Sequence, residues 1–252
     1  MDLIANRKGN YHFLTGIAPY SSGVVADEGY EIVHVTLKSP IPCQLGFDLI
    51  DQYLKEHNRS RHALCGIELR SPRPFTFEGF FEFNQTYQDI LSEWDLLVDD
   101  KNPIARTNIA PGVRPPEEPC LYAFSCTELS AHPGHGPTFI VAGAGELTGG
   151  DLSPDAIIRA GETSADAMQE KAAHVMQTMQ ARLSGLKATW ADVTAVDVYT
   201  VHPLESFLEE TILRQMAEAA VHGVRWCYGR PPIVDVEFEM DMRGIYLDIR
   251  LT

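Results

Sequence analysis

The stretch Asn102-Pro-Ile-Ala-Arg-Thr-Asn-Ile-Ala-Pro111 places Arg106 at the centre of a short run bracketed by prolines. Because proline fixes φ and biases the residue before it toward β, we predict that this run is extended. An arginine there keeps its charge and offers a planar fork that matches a carboxylate. Arg106 is therefore a candidate anion-binding residue, although a surface arginine in a connector has the same local pattern.

A similar pattern recurs near the other end of the chain, as Gly229-Arg-Pro-Pro-Ile-Val-Asp235. Its arginine, Arg230, also follows a helix-like segment and precedes β-like sequence. Two arginines in matching contexts indicate a duplicated domain with a duplicated anion site.

Composition and charge narrow the classes of function. The 252 residues carry 35 acidic and 20 basic side chains, a formal net charge of -15. We expect no nucleic-acid partner, because phosphate binding needs a basic surface. No run of about 18 apolar residues occurs, so no membrane span is predicted, and the N-terminus lacks the apolar core of a signal peptide. The five scattered cysteines form no C-x-x-C pair, which favours reduced thiols in a cytoplasmic protein over a metal site.

Hydrophobic periodicity predicts alternating strands and helices throughout the chain. In the first half, the predictions are a β-rich stretch over 11–20, strands over 30–37 and 63–69, helices over 44–57 and through 80–91, the strand around Arg106, and a strand over 120–126. In the second half, they are strands over 138–142 and 193–201, helices over 162–184 and 204–220, and a terminal hairpin of 233–239 with 245–251. Each half has the order ββαβαββ, which indicates an internal duplication with domains at 1–129 and 130–252.

Short segments of both halves resemble signature segments of the Rid (YjgF-type) family. In the first half they are 18–24, 83–87 and 105–109, and in the second half 139–143, 190–199, 229–230 and 246–249. The resemblance implies an α+β fold of two tandem chorismate-mutase-like domains, each a sheet with helices on one face. It also implies a homotrimer whose clefts between subunits hydrolyse reactive imines or enamines to ketones and ammonia without a cofactor.

The resemblance implies roles for individual residues of the first half. Tyr20 and Asn84 match substrate-binding positions, and Arg106 matches the arginine that holds a carboxylate. The acidic residue of the family's last strand falls near Ser125, so that role is missing from this half.

In the second half, Arg230 matches the family's carboxylate-holding arginine, and Asp248 matches the acidic residue of the family's last strand. Gly143 matches a family glycine whose backbone N–H donates to the substrate. We therefore expect Arg106, Arg230 and Asp248 to be catalytic, with Gly143 binding substrate alongside the first-half residues and with no metal ion. Neither half is complete, so either one half is active or a site combines residues from both.

The chemistry of imine hydrolysis suits these residue types. An arginine fork can hold and orient a substrate carboxylate, and Asp248 could deliver water to the imine carbon. A glycine lets a ligand approach the backbone closely.

Plain structural interpretations of the same residues stay open. Asp248 could be a strand residue that faces solvent, and Tyr20 a half-buried aromatic in a turn. Asn84 could be an amide on a helix surface, and Gly143 a bulge in a strand.

The sequence thus predicts a deaminase that hydrolyses an imine- or enamine-bearing carboxylic acid to the oxo acid and ammonia. A 2-aminomuconate-like diacid, from degradation of an aminated aromatic ring, is the expected type of substrate. One alternative is a non-catalytic protein of the same fold that binds a small carboxylate. Another is a ring-opening amidohydrolase, for which Lys38-Ser39 is the only adjacent lysine–serine pair. A nuclease conflicts with the acidic charge balance.

Overall fold

The computed structural model describes residues 1–132, 134–149 and 152–252, which form one twelve-stranded mixed sheet with helices packed on it. This arrangement confirms the predicted α+β class. The strands and helices up to residue 129 are β1 (Leu3–Asn6), β2 (Tyr11–Leu14), β3 (Gly23–Ala26), β4 (Tyr30–Pro42), α1 (Cys43–Glu56), β5 (Leu64–Arg70), α2 (Phe77–Glu93), β6 (Ala105–Pro111) and β7 (Cys120–Leu129). Those that follow are β8 (Phe139–Gly145), α3 (Ala165–Gly185), β9 (Ala195–Thr200), β10 (Arg225–Arg230), β11 (Glu239–Gly244) and β12 (Leu247–Leu251).

Four strands of each half pair in the same order. In the first half the order is β6-β5-β7-β4, and in the second half it is β10-β9-β11-β8. In both sets the first two strands are parallel and the third is antiparallel to its two neighbours. The two sets join through β6 and β10, which are antiparallel.

The ends of the chain extend the sheet of the opposite half. The N-terminal strand β3 pairs with β8, and the C-terminal strand β12 pairs in parallel with β4. The predicted terminal hairpin is therefore wrong, because β11 pairs with β8 and β9 and not with β12. Its first arm is also interrupted, since Asp235 has a φ of 69° that strands do not adopt.

The helices follow the predicted apolar faces, with one exception. Phe47, Ile50 and Leu54 of α1 pack with β4 and β7 in one core cluster, and the methionines of α3 fill another. The predicted helix over 204–220 is instead a π-helical turn, Leu208–Ile212, followed by a 3-10 segment, Leu213–His222. The positive φ of 47° at Ala217 interrupts regular helix there.

A buried polar layer joins the two halves. Arg243 of β11 lies 2.9 Å from Asp197 of β9 and 3.6 Å from Glu68 of β5. Because Arg243 contacts an acidic residue of each half, the strands of the two halves meet through polar as well as apolar side chains. In the part of the chain that the structure describes, none of the helices has the length and apolar character needed to cross a bilayer.

Candidate active site

Arg106 lies on β6 inside a cage of aromatic rings. Its guanidinium carbon is 4.9 Å from the ring centres of Tyr20 and Tyr87, and 5.6 and 5.9 Å from those of Phe80 and Phe83. Both terminal nitrogens are buried, and neither has a hydrogen-bond partner among the described residues. A buried charge without a partner is costly, so this guanidinium is arranged for an anion from outside the chain.

Backbone contacts bring Tyr20 to this position. The Ser21 N–H donates to the Ile104 carbonyl at 2.9 Å, and the Asn102 side chain donates to the Pro19 carbonyl at 2.7 Å. These bonds hold the segment around Tyr20 along the start of β6. Burial raises the pKa of the Tyr20 hydroxyl, and the neighbouring guanidinium opposes that shift.

Asn84 is buried on α2 and is not a surface amide. Its exposure is 2%, and both its side-chain oxygen and nitrogen lack a hydrogen-bond partner in the described chain. It lines an open cavity beside residues 17–19, and Leu152 borders both this cavity and the one that holds Arg106. An unpaired buried amide is costly, so Asn84 is available to a ligand.

Glu239, the first residue of β11, supplies a carboxyl group to the Arg106 cavity. It is only 5% exposed, and burial raises its pKa to about 8, against the opposing effect of Arg182 and Arg106. A carboxyl that titrates near neutral pH can give and take protons during turnover.

Gly143 of β8 makes room for that carboxyl group. A Cβ at this position would collide with Oε1 of Glu239. The Gly143 N–H donates to Oγ1 of Thr107 at 3.1 Å, so the chain itself uses the backbone donor predicted for substrate. The cavity combines both halves of the chain, with Tyr20, Phe80, Arg106 and Asn108 on one side and Gly143, Gly145, Leu147, Pro232, Ile233, Val236 and Glu239 on the other.

The structure does not bring the other two predicted catalytic residues to this cavity. Arg230, at the end of β10, is 42% exposed at its side chain and forms a 2.5 Å ion pair with Glu237. Asp248 is exposed on β12, which is separated from β6 by β5, β7 and β4. Asp248 lies away from this cavity because β12 leaves the second half and pairs with β4.

Sequence reasoning missed Glu239. A usable signal for Glu239 was present, because acidic residues at 235, 237, 239 and 241 alternate with apolar ones. In a strand this alternation puts all four acids on one face. The structure buries Glu239 and Asp241, where a carboxyl group needs a functional or structural reason.

A buried arginine without a partner among the described residues, in one cavity with a carboxyl group whose pKa burial raises to about 8, is the arrangement expected of an acid–base enzyme site for an anionic substrate. The fold around it is similar to the crystal structure of a chorismatase, with a TM-score of 0.50, 12% identity and coverage of 88% of this chain and 77% of that chain. At this identity the similarity shows the fold alone.

Residues 3–249 match the family described as 2-aminomuconate deaminase CnbZ, and the chain belongs to that family. It is 34% identical over 244 residues to a 2-amino-5-chloromuconate deaminase of Comamonas testosteroni, covering 96% of both chains. The predicted enzyme class, a deaminase of 2-aminomuconate-like acids, is thereby confirmed. Membership of this family favours deamination over the non-catalytic and ring-opening alternatives.

Proposed function

We propose that this enzyme hydrolyses 2-aminomuconate, or a substituted form of it, to the 2-oxo acid and ammonia in the cavity that holds Arg106 and Glu239. The observation that carries the proposal is the unpaired buried guanidinium of Arg106 beside a carboxyl group with a pKa of about 8. The substrate named for the Comamonas testosteroni relative is an amino dicarboxylate of this type.

Arg106 holds the carboxylate next to the reacting carbon. Its two free terminal nitrogens can donate in parallel to both carboxylate oxygens, which fixes the orientation of the substrate as well as binding it. The four surrounding rings exclude water and so strengthen this interaction.

Glu239 transfers the protons. At neutral pH Glu239 is protonated in most molecules of the enzyme. It donates this proton to the β-carbon of the enamine, which gives an iminium ion. The resulting carboxylate accepts a proton from water as the water oxygen bonds to the iminium carbon. The hydroxyl proton of the carbinolamine then moves to the amino nitrogen, the C–N bond breaks, and the carbonyl forms as ammonia leaves. The net reaction consumes one water for each ammonia released.

The direct test is ammonia release from enzymatically generated 2-aminomuconate, with an imino acid that has one carboxylate supplied in parallel. We expect release from 2-aminomuconate. Release from neither compound, together with tight binding of a carboxylate ligand, would instead support the non-catalytic alternative.

We also infer that the chain consists of two tandem YjgF-type units, residues 1–129 and 130–252. The repeated strand order of the two halves supports this division. The exchange of β3 and β12 between the halves makes each unit depend on the other.

We propose further that the enzyme is a cytoplasmic homotrimer without a nucleic-acid partner. All five cysteines are free, which suits a reducing compartment, and the net charge of -15 disfavours phosphate backbones.

Trp226 and Tyr228 of β10 are 44% and 55% exposed and offer apolar surface for assembly. Sedimentation at micromolar concentration should give three times the chain mass, and a stable monomer would contradict the trimer.

A further inference from the structure

Arg182, near the end of α3, is a partly buried arginine without a carboxylate partner in the described chain. Its Nη1 donates to the carbonyls of Ala142 at 2.8 Å and Gly143 at 3.2 Å, while its Nε is buried and has no partner. Two carbonyls thus fix the guanidinium in place and leave its Nε edge free. That edge has the donor geometry that a carboxylate can accept.

Arg182 is the last of three polar residues along one face of α3. His174, Thr178 and Arg182 are spaced four residues apart, so they lie above one another on the helix. All three line a cavity of 390 Å³. The His174 Nε2 atom lies 3.0 Å from the Leu147 carbonyl, which fixes the orientation of that ring.

This cavity adjoins the one that holds Arg106. Tyr20, Gly143, Gly145, Leu147 and Leu152 border both. A linear molecule held at Arg106 therefore has neighbouring space that leads toward α3.

Among the residues that the structure describes, no side chain forms an ion pair with either arginine of this region. Tyr20 and Glu239 both act electrostatically on Arg106 and Arg182, and Glu239 is the carboxyl group of the two. When Glu239 is protonated it contributes no negative charge. A buried positive charge, Arg106, and a partly buried one, Arg182, then face joined cavities in a protein whose net charge is -15. A ligand with two negative charges at its ends would neutralise both.

We propose that Arg182 binds the second carboxylate of a linear dicarboxylate whose first carboxylate is held by Arg106, with Thr178 and His174 lining that end. Arg182 is then the residue that selects diacids over monoacids. This inference rests on the proposed function for the identity of the substrate, but its test does not need turnover.

The test compares two probes with the same six-carbon diene chain, muconate with two carboxylates and sorbate with one. Calorimetry should show that the wild-type enzyme binds muconate more tightly than sorbate. In Arg182→Gln the muconate affinity should fall roughly 10- to 150-fold, the effect of one charge-assisted hydrogen bond, while sorbate binding stays unchanged. Arg230→Gln, which removes an arginine outside both cavities, should leave both affinities as in the wild type.

Arg182 also supports the backbone of β8, and the probes separate that role from binding. Equal loss of muconate and sorbate affinity in Arg182→Gln would overturn the proposal, as would a wild-type enzyme without preference for muconate. If Arg182→Gln does not fold, Arg182→Lys is the variant to use, because it keeps the charge and should retain part of the muconate preference. Wild-type affinities in Arg182→Lys would count against a contact that requires the planar guanidinium. A muconate preference without ammonia release from 2-aminomuconate would refute the proposed function and leave this diacid site standing.

Discussion

Arg106 and Arg230 have similar sequence contexts and different surroundings. Arg106 is 3% exposed, is enclosed by aromatic rings and forms no ion pair with a carboxylate among the described residues. Arg230 is half-exposed, and Glu237, which pairs with it, also lies 2.8 Å from Nε2 of His202. Glu237 supplies the anion for Arg230, and no described residue pairs with Arg106, which is why we propose Arg106 as the residue that holds the substrate carboxylate.

The property that distinguishes Arg106 from Arg230 is the lack of an acidic partner among the described residues. An ion pair near the surface contributes little stability and its loss changes little. A buried guanidinium without a partner is a cost that the fold tolerates, and binding of the substrate carboxylate removes that cost. The comparison therefore predicts that substitutions around Arg106 affect catalysis and that matched substitutions around Arg230 do not.

The largest effect is expected for Glu239→Gln. The amide keeps the size of the side chain and removes its proton transfer, so kcat/KM for 2-aminomuconate should fall about 10²- to 10⁴-fold. Glu237→Gln, two residues earlier and paired with Arg230, is the matched control and should stay near the wild-type value. Equal effects of the two substitutions would show that the acid has been assigned to the wrong residue.

A smaller loss is expected for Gly143→Ala. The added methyl group would collide with Oε1 of Glu239 and lie 3.2 Å from Cγ2 of Thr107, so the carboxyl group must move. Overpacking of this kind costs about 1–3 kcal/mol of stability, and kcat should fall while the muconate affinity changes less. Urea unfolding and steady-state kinetics measure the two effects. Wild-type kcat in this variant would mean that the position of Glu239 is not critical.

The smallest effect is a pH dependence of the wild-type enzyme. Because burial raises the pKa of Glu239 to about 8 and its protonated form acts first, kcat/KM should fall as pH rises through 8. Stability should change in the same direction. The protonated form is favoured in the folded chain, so the free energy of unfolding declines between the unfolded pKa of about 4.3 and the folded value.

The matched measurement compares unfolding at pH 5 and at pH 8.5 in the wild type and in Glu239→Gln. The substituted chain should lose less stability over this interval. A kcat/KM that instead rises through pH 8 would make Glu239 a base in the first step and would reverse the order of proton transfers.

Local sequence was enough to predict the elements around the site. Apolar periodicity predicted α1 and α3 correctly, and the prolines at 103 and 111 bracket the observed strand β6. These features depend on neighbouring residues, where propensity and pattern are informative.

The pairing of strands that lie far apart in the chain could not be predicted from local sequence. Which strand receives β12 depends on partners that lie more than 200 residues away in the chain, and no local pattern encodes that choice. For this reason the sequence did not predict that Asp248 lies away from the cavity that holds Arg106. Glu239 was overlooked although its alternating segment was visible, because the expected acidic position was sought on a later strand.

The most direct test of the central claim compares Arg106→Lys with Arg230→Lys. Each keeps the positive charge and loses the planar fork. We predict that Arg106→Lys lowers kcat/KM for 2-aminomuconate by roughly 10- to 150-fold, the equivalent of one charge-assisted hydrogen bond, while Arg230→Lys stays at the wild-type value. Full activity of Arg106→Lys together with an inactive Arg230→Lys would contradict the account and move the site to the other arginine.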